Sequence, residues 1–217
     1  MVNAQRRNLS ILLADDHAVL RSGLRLILLD AFKNATVGEA ADCRQALELA
    51  GTRAWDLIIL DISMPGRGGL DVLKELRALY PKTRVLVLSM HSERQFAQRA
   101  FRAGAAGYLT KASAGAELLR AVQHVLAGGR YVSAVLAEQL AAELGNSESA
   151  SLHAQLSDRE FEVLRLIAAG KTVKEIASEL SLSGNTISTY RTRILEKMKM
   201  STTAELMHYA ISNNLIE

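Results

Sequence analysis

Two hydrophobic periods alternate along the first 130 residues. Short, near-continuous apolar runs occur at Ile11-Leu12-Leu13-Ala14, Ala35-Thr36-Val37-Gly38, Leu57-Ile58-Ile59-Leu60, Val85-Leu86-Val87-Leu88 and Gly107-Tyr108-Leu109. Between them lie segments of about ten residues with apolar positions three and four apart, as in Leu70, Leu73, Leu76 and Leu79. Continuous apolar strands alternating with amphipathic helices predict an α/β doubly wound domain, a five-stranded parallel sheet covered by helices on both faces. A ligand site in such a sheet belongs at the carboxyl ends of the strands.

After Gly128-Gly129 the pattern becomes wholly helical. A helix is expected at about 133–144, followed by the polar, small-residue stretch Gly145-Asn146-Ser147-Glu148-Ser149-Ala150-Ser151, which reads as a linker. Beyond it, Ser157-Asp158-Arg159-Glu160, Thr172-Val173-Lys174-Glu175 and Thr202-Thr203-Ala204-Glu205 each match the capping box, and Ser183 marks a fourth helix start. These boundaries predict a first domain over 8–128, a helix and linker over 129–152, and a small all-α four-helix domain over 153–217.

Composition narrows the class. The chain has 217 residues, 49% hydrophobic and 23% charged, enough for packed cores. Two prolines, Pro65 and Pro81, and four phenylalanines argue against a turn-rich all-β protein. One cysteine, Cys43, excludes an internal disulfide and a multi-cysteine zinc site; it opens an expected helix and is read as a packing residue. No apolar run approaches a membrane span, and MVNAQRRNLS lacks a signal peptide's apolar segment, so a cytoplasmic protein with no membrane partner is expected. The net charge of +3 is unevenly placed. Residues 1–130 carry 18 Lys/Arg and 12 Asp/Glu, 131–152 carry 0 and 3, and 153–217 carry 8 and 8. Charge alone therefore identifies no nucleic-acid domain.

The candidate chemistry lies at the strand ends. Asp15 and Asp16 follow the first strand, Asp61 the third, Ser89 ends the fourth, and Lys111 follows the fifth. Parallel strands bring all five to one rim. Three carboxylates there repel one another unless a hard cation sits among them, and oxygen ligands with room for water favour Mg²⁺ over zinc. Lys111 and Ser89 then suit a phosphoryl group, with Asp61 as the nucleophile. The plainer alternative is that these acids cap the following helices or face water.

The set resembles the receiver domain of bacterial two-component response regulators over roughly residues 8–128, on Leu13-Ala14-Asp15-Asp16-His17, Asp61-Ile62-Ser63-Met64-Pro65-Gly66, Leu88-Ser89 and Gly107-Tyr108-Leu109-Thr110-Lys111. The resemblance implies a flavodoxin-like receiver whose Asp61 takes phosphate from a histidine kinase or a small-molecule phosphodonor. It further implies Mg²⁺ held by Asp15, Asp16, Asp61 and the Ser63 carbonyl, and a switch pair of Ser89 and Tyr108, the ring turning inward behind the hydroxyl. Lys111 is followed by Ala112 where many receivers have proline, and Gly68-Gly69 replaces an acid-glycine pair. Ser63 and His91 occupy positions that tune phosphoryl lifetime in that family. His17 and His91 read as ordinary surface or supporting residues.

The last four helices contain a short helix, a tight turn at Ser181-Leu182-Ser183-Gly184 and a longer helix from Asn185 to about Met198, a helix-turn-helix pattern. On a helical wheel, Ile187, Tyr190, Ile194, Leu195 and Met198 gather inward. Asn185, Ser188, Thr189, Thr192 and Glu196 lie opposite, flanked by Arg193 and Lys199. That face suits base edges and phosphates, or equally a solvated face on an interaction module. Residues 153–217 are similar to the LuxR-type helix-turn-helix of NarL/FixJ response regulators, on Leu156-Ser157-Asp158-Arg159-Glu160, Lys174-Glu175-Ile176-Ala177, Asn185-Thr186-Ile187-Ser188-Thr189-Tyr190 and Ile194-Leu195-Glu196-Lys197-Met198. This implies double-stranded DNA as a partner and phosphate contacts from Thr172, Lys174 and Arg193. It also implies a homodimer surface on the last helix, with Ala204, Met207, His208 and Ile211. Together the readings predict a phosphorylation-controlled transcriptional regulator rather than an enzyme. Two rivals are a receiver whose helical tail binds protein, and a haloacid-dehalogenase-like phosphatase. The latter needs a second aspartate where this chain has Ser63.

Overall fold

The computed structural model describes residues 8–65, 67–90, 93–134, 136–138, 152–213 and 215. The chain divides into two compact units, residues 1–142 and 143–217. The linker expected at 145–151, most of the helix expected at 133–144, and His91 lie outside the described residues.

The first unit alternates strands and helices: β1 (Ser10–Ala14), α1 (Ala18–Ala31), β2 (Thr36–Ala40), α2 (Cys43–Ala50), β3 (Leu57–Asp61), α3 (Gly69–Leu79), β4 (Arg84–Ser89), α4 (Glu93–Arg102), β5 (Gly107–Thr110) and α5 (Lys111–Leu126). All four pairings are parallel, in the order β2-β1-β3-β4-β5. β1 and β3 are buried along their whole length, as strands covered on both faces require. Ile11, Leu13, Leu57, Ile59, Leu86, Leu88 and Leu109 share one core with Leu24, Leu28, Leu118, Val122 and Val125 from α1 and α5. The alternate positions Leu12, Ile58, Leu60, Val87 and Tyr108 are fully buried as well and belong to the opposite face.

Register sets the rim. Ala14 lies opposite Leu60, Asp61 opposite Leu88, and Ser89 opposite Thr110. Asp15, Asp61, Ser89 and Lys111 therefore fall within about one residue of a common edge. Gly69 carries the chain past that edge, because a Cβ there would sit 2.3 Å from the Ile62 Cα. The second glycine of Gly68-Gly69 is thus fixed by close approach, and Gly68 serves as the helix cap, with its carbonyl accepting from the N–H groups of Asp71 and Val72.

Past α5 the chain turns at Gly128, where φ is +103°, and returns to the edge of β5. Tyr131 forms a one-residue parallel bridge with Gly107, donating to the Ala106 carbonyl at 3.0 Å and accepting from the Tyr108 N–H at 3.1 Å. Tyr131 and Leu136 are buried, and Ser133 caps the turn between them by accepting from the Leu136 N–H. This edge bridge has no counterpart in the hydrophobic pattern.

The described part of the second unit begins with a 3-10 turn (Leu152–Gln155) and holds α6 (Asp158–Ala168), α7 (Val173–Glu179), α8 (Gly184–Met198) and α9 (Thr203–Ser212). Phe161, Val163, Leu164, Ile176, Ile187, Ile194, Met198, Leu206 and Ala210 are buried. Two expected capping boxes are complete, Ser157 with Glu160 and Thr172 with Glu175. The third is corrected: the Thr202 hydroxyl accepts from the Glu205 N–H, but the Glu205 carboxylate takes the Ser201 N–H instead of that of Thr202. The reach back is one residue longer, so Glu205 anchors the chain entering the helix rather than the cap itself. Ser183 caps α8 as expected.

Candidate phosphoacceptor site and nucleic-acid face

Lys111 is the centre of the rim. Its ammonium lies 2.7 Å from Asp61 Oδ2 and 2.9 Å from Asp15 Oδ2, and all three side chains are buried. The second oxygen of each carboxylate is held by backbone: Ser63 N–H donates to Asp61 Oδ1 and His17 N–H to Asp15 Oδ1, each at 2.7 Å. Asp15 therefore holds the N-cap residue of α1 without itself capping the helix, which the plainer reading of these acids would have required, and also faces the site. The Arg21 guanidinium donates to the Asp15 carbonyl at 2.5 Å while also pairing with Glu39. Arg21 fixes the loop that carries both aspartates.

Electrostatics at the rim are strained by burial. Burial pushes the Asp61 carboxyl above its usual value, against the hydrogen bond and charge of Lys111, and nearby Asp15 adds to the rise. For Lys111 burial works downward, but its hydrogen bonds to Asp61 and Asp15 outweigh it and the net shift is upward. The ammonium is thus secure. Three carboxylates against one ammonium leave a net negative pocket open to a cation.

Asp15, Asp16, His17 and Asp61 bring ligand atoms within 4.8 Å of one another. Asp16 Oδ1 is shielded from solvent and accepts no hydrogen bond among the described residues. A shielded carboxylate oxygen without a donor, beside hard oxygen atoms of matching charge, fits a divalent metal ion. Ser89 is fully buried at the end of β4. Tyr108 is also fully buried on β5, so its ring is inward in this structure. Cys43 is buried at the first turn of α2, and burial raises its thiol to about 11, which suits packing and not reactivity.

The helix face in the second unit is built differently. Asn185, Ser188, Thr189, Thr192, Arg193 and Lys199 are all exposed, while Ile187, Ile194 and Met198 are buried and Tyr190 and Leu195 half-buried. The wheel separated these faces correctly. Ser188, Thr189 and Thr192 donate their hydroxyl protons to the carbonyls of Gly184, Asn185 and Ser188, at 3.0, 3.0 and 3.2 Å. Their oxygen lone pairs remain for an incoming donor. Thr172 is committed within its capping box, both its N–H and its hydroxyl meeting Glu175, whereas Lys174 is exposed. On α9, Ala204, His208 and Ile211 are exposed, Ile211 at 61%, and Met207 is half-buried.

Two supports escaped the sequence reading. Arg21 is one. The other is Lys197, whose ammonium donates at 2.6 Å to the Glu160 carboxylate that also accepts from Ser157 N–H at 2.7 Å, tying the start of α6 to the end of α8. The capping-box motif announced Glu160, but nothing announced its partner.

A rim of this kind on a parallel sheet, joined to a helix-turn-helix, defines a two-domain signalling protein. A sequence family described as the response regulator receiver domain matches residues 11–123, and the luxR family of bacterial regulatory proteins matches 154–210. The chain belongs to the response regulators that join a receiver to a LuxR-type helix-turn-helix. It is 35% identical over 208 residues to the response regulator UvrY of Escherichia coli K12, covering 95% of both chains. It is 38% identical over 210 residues to the transcriptional activator protein ExaE of Pseudomonas putida, covering 96% of this chain and 98% of that one. Among solved structures it is similar to RcsB from Salmonella enterica serovar Typhimurium bound to promoter rprA in the presence of phosphomimetic BeF3-, with 28% identity, a TM-score of 0.66, and 94% and 98% coverage. The chain is thus a DNA-binding response regulator with kinase and DNA partners. Among the described residues no helix is long and apolar enough to cross a membrane.

Proposed function

We propose that Asp61 is the phosphoacceptor and that phosphorylation of the receiver controls a dimeric, DNA-bound state in the cytoplasm. The observation that carries this is the meeting of Asp15, Asp61 and Lys111, from the ends of three strands, within hydrogen-bonding distance. Lys111 and the Ser63 N–H orient the Asp61 carboxylate. One Asp61 oxygen forms a bond to phosphorus as the bond from phosphorus to the donor's imidazole nitrogen, or to the acyl oxygen of a small-molecule donor, breaks. The leaving group departs with the electron pair. Asp15, Asp16, Asp61 and the Ser63 carbonyl would hold Mg²⁺, which when bound neutralises charge on the phosphoryl oxygens. Lys111 then pairs with the new acyl phosphate, the Ser89 hydroxyl donates to it, and the buried Tyr108 ring packs behind Ser89.

The domains of this reading are a receiver over 8–128, a connector over 129–152 and a DNA-binding module over 153–217. In the connector's first residues Tyr131 joins the receiver core and Leu136 is buried, which supports their carrying its state onward. In the module, Asn185, Ser188, Thr189 and Thr192 face base edges or sugars, and Lys174, Arg193, Lys199 and the Thr172 segment follow phosphates. Ala204, Met207, His208 and Ile211 supply the self-complementary dimer surface, which sets two recognition helices in successive major grooves.

The test is labelling of the full chain with acetyl phosphate and Mg²⁺. Wild type takes up one phosphate labile to alkali and hydroxylamine, as an acyl phosphate is, and Asp61→Asn takes up none. Equal labelling of the variant overturns the assignment.

A further inference from the structure

We propose that Arg159 is a positioning residue for DNA recognition: it grips the turn that enters α8 and so sets the angle at which that helix presents its exposed polar face. The proposal rests on the reading of α8 as the recognition helix and adds the support that aims it.

The turn between α7 and α8 passes through a conformation that L side chains rarely adopt. Ser181 has a φ of +52° without being glycine, so its Cβ crowds the backbone there. Leu180, the C-cap of α7, stands just before it, and its carbonyl is one of the helix-end acceptors that no further helical turn satisfies. Leu180 is buried, so that carbonyl needs a partner from the fold. Arg159 supplies one, its Nη2 donating at 3.0 Å from 21 residues earlier in the chain.

The guanidinium is itself fixed. Its Nη1 donates to Glu162 Oε2 at 2.6 Å along α6, and the two side chains are only 12% and 24% exposed. A planar fork held at one prong aims the other in a set direction, as a flexible ammonium does not. The path of the chain into Ser181 is thereby tied to the first turn of α6, which the capping box of Ser157 and Glu160 locks in place.

The neighbouring residue ties the far end of the same helix. Glu160 accepts from Lys197, in the last turn of α8. Arg159 thus holds the entry of α8 and Glu160 its exit. Between them Ile187 and Ile194 are buried, and apolar burial is strong but without direction. The angle of the helix is therefore set by the polar ties at its ends. Hydrogen bonds to base edges weaken steeply with misalignment, whereas attraction to phosphates is long-ranged and indifferent to sequence. A mis-set α8 loses discrimination before it loses affinity.

The experiment measures binding of the full chain to two duplexes, one selected from genomic fragments by the wild type and one of random sequence. Fluorescence anisotropy is read over a range of salt, with thermal unfolding alongside. Arg159→Gln is expected to weaken the selected duplex by about tenfold and the random one by less than about twofold, with unchanged salt dependence. Arg159→Lys keeps the charge beside Glu162 but brings one ammonium to two acceptors, so a loss of discrimination of about threefold is expected. That variant carries the test if Arg159→Gln does not fold. Wild-type discrimination in the folded variants overturns the proposal. So does an equal loss on both duplexes with a shallower salt dependence, the mark of a phosphate contact. Thr189→Ala, measured in parallel, separates this inference from the reading beneath it. Discrimination lost at Thr189 but kept at Arg159 overturns the positioning role alone; discrimination kept at both overturns α8 as the reader as well.

Discussion

The receiver rim and the recognition helix use polar groups in opposite ways. At the rim, Asp15, Asp61 and Lys111 are withdrawn from water and satisfied by one another and by backbone. On α8 the polar side chains are exposed, and the hydroxyls spend their protons on their own helix. The rim is assembled before its ligand arrives; the helix face is finished only by its ligand. Buried charge costs several kcal/mol when left unpaired, so the rim's geometry is bound up with folding, whereas exposed hydroxyls are nearly free to change. Substitutions at the rim should therefore damage stability and function together. Those on α8 should separate the two.

The largest expected effect tests the first half of that contrast. Lys111→Met leaves Asp15 and Asp61 buried with no cation and should destabilise the first unit by about 3–5 kcal/mol, read from urea denaturation. Divalent metal should restore part of the loss by replacing the missing positive charge. A Lys111→Met chain as stable as wild type without metal would mean the rim is not organised by charge.

Thr189→Ala sharpens the other half. It removes one exposed hydroxyl already bonded to the Asn185 carbonyl, so stability should change by no more than about 0.5 kcal/mol. Discrimination between the cognate duplex and random DNA should fall by about 1 kcal/mol, measured by fluorescence anisotropy at fixed salt. Equal weakening on both duplexes would assign Thr189 to the phosphate backbone.

The same contrast explains what could be seen in the chain of letters. Parallel strands buried on both faces read as nearly unbroken apolar runs, and the residue after each run must reach the rim. Asp15, Asp61 and Lys111 were therefore legible once β1, β3 and β5 were. The face of α8 was legible from its 3.6-residue period, but the direction of its hydroxyl protons was not, because back-bonding leaves no mark on spacing. Arg21 and Lys197 were missed for a related reason. Long side chains find partners such as the Asp15 carbonyl and Glu160 across the fold, where no local pattern points. Tyr131 was missed because a bridge of one residue has no period at all.

Two capping glutamates in the second unit allow a finer test of burial as the deciding variable. Glu160 is buried and paired with Lys197, whereas Glu205 is exposed and, among the described residues, its carboxylate holds only the Ser201 N–H. Burial alone would raise the Glu160 carboxyl, yet the hydrogen bonds from Lys197 and Ser157 outweigh it and hold it below its usual 4.5. A carboxyl depressed in the folded state contributes stability above its unfolded value and loses that contribution as pH falls through the folded value. Glu160→Gln should thus cost about 1 kcal/mol at pH 7, an amount held down because the Lys197 end is partly in water. The gap between wild type and variant should close in acid below pH 4.5. Glu205→Gln should cost only a few tenths of a kcal/mol at pH 7. Thermal unfolding of both variants at pH 7 and in acid reads the difference, and equal costs at pH 7 would show that the Lys197 pair contributes nothing beyond an ordinary cap.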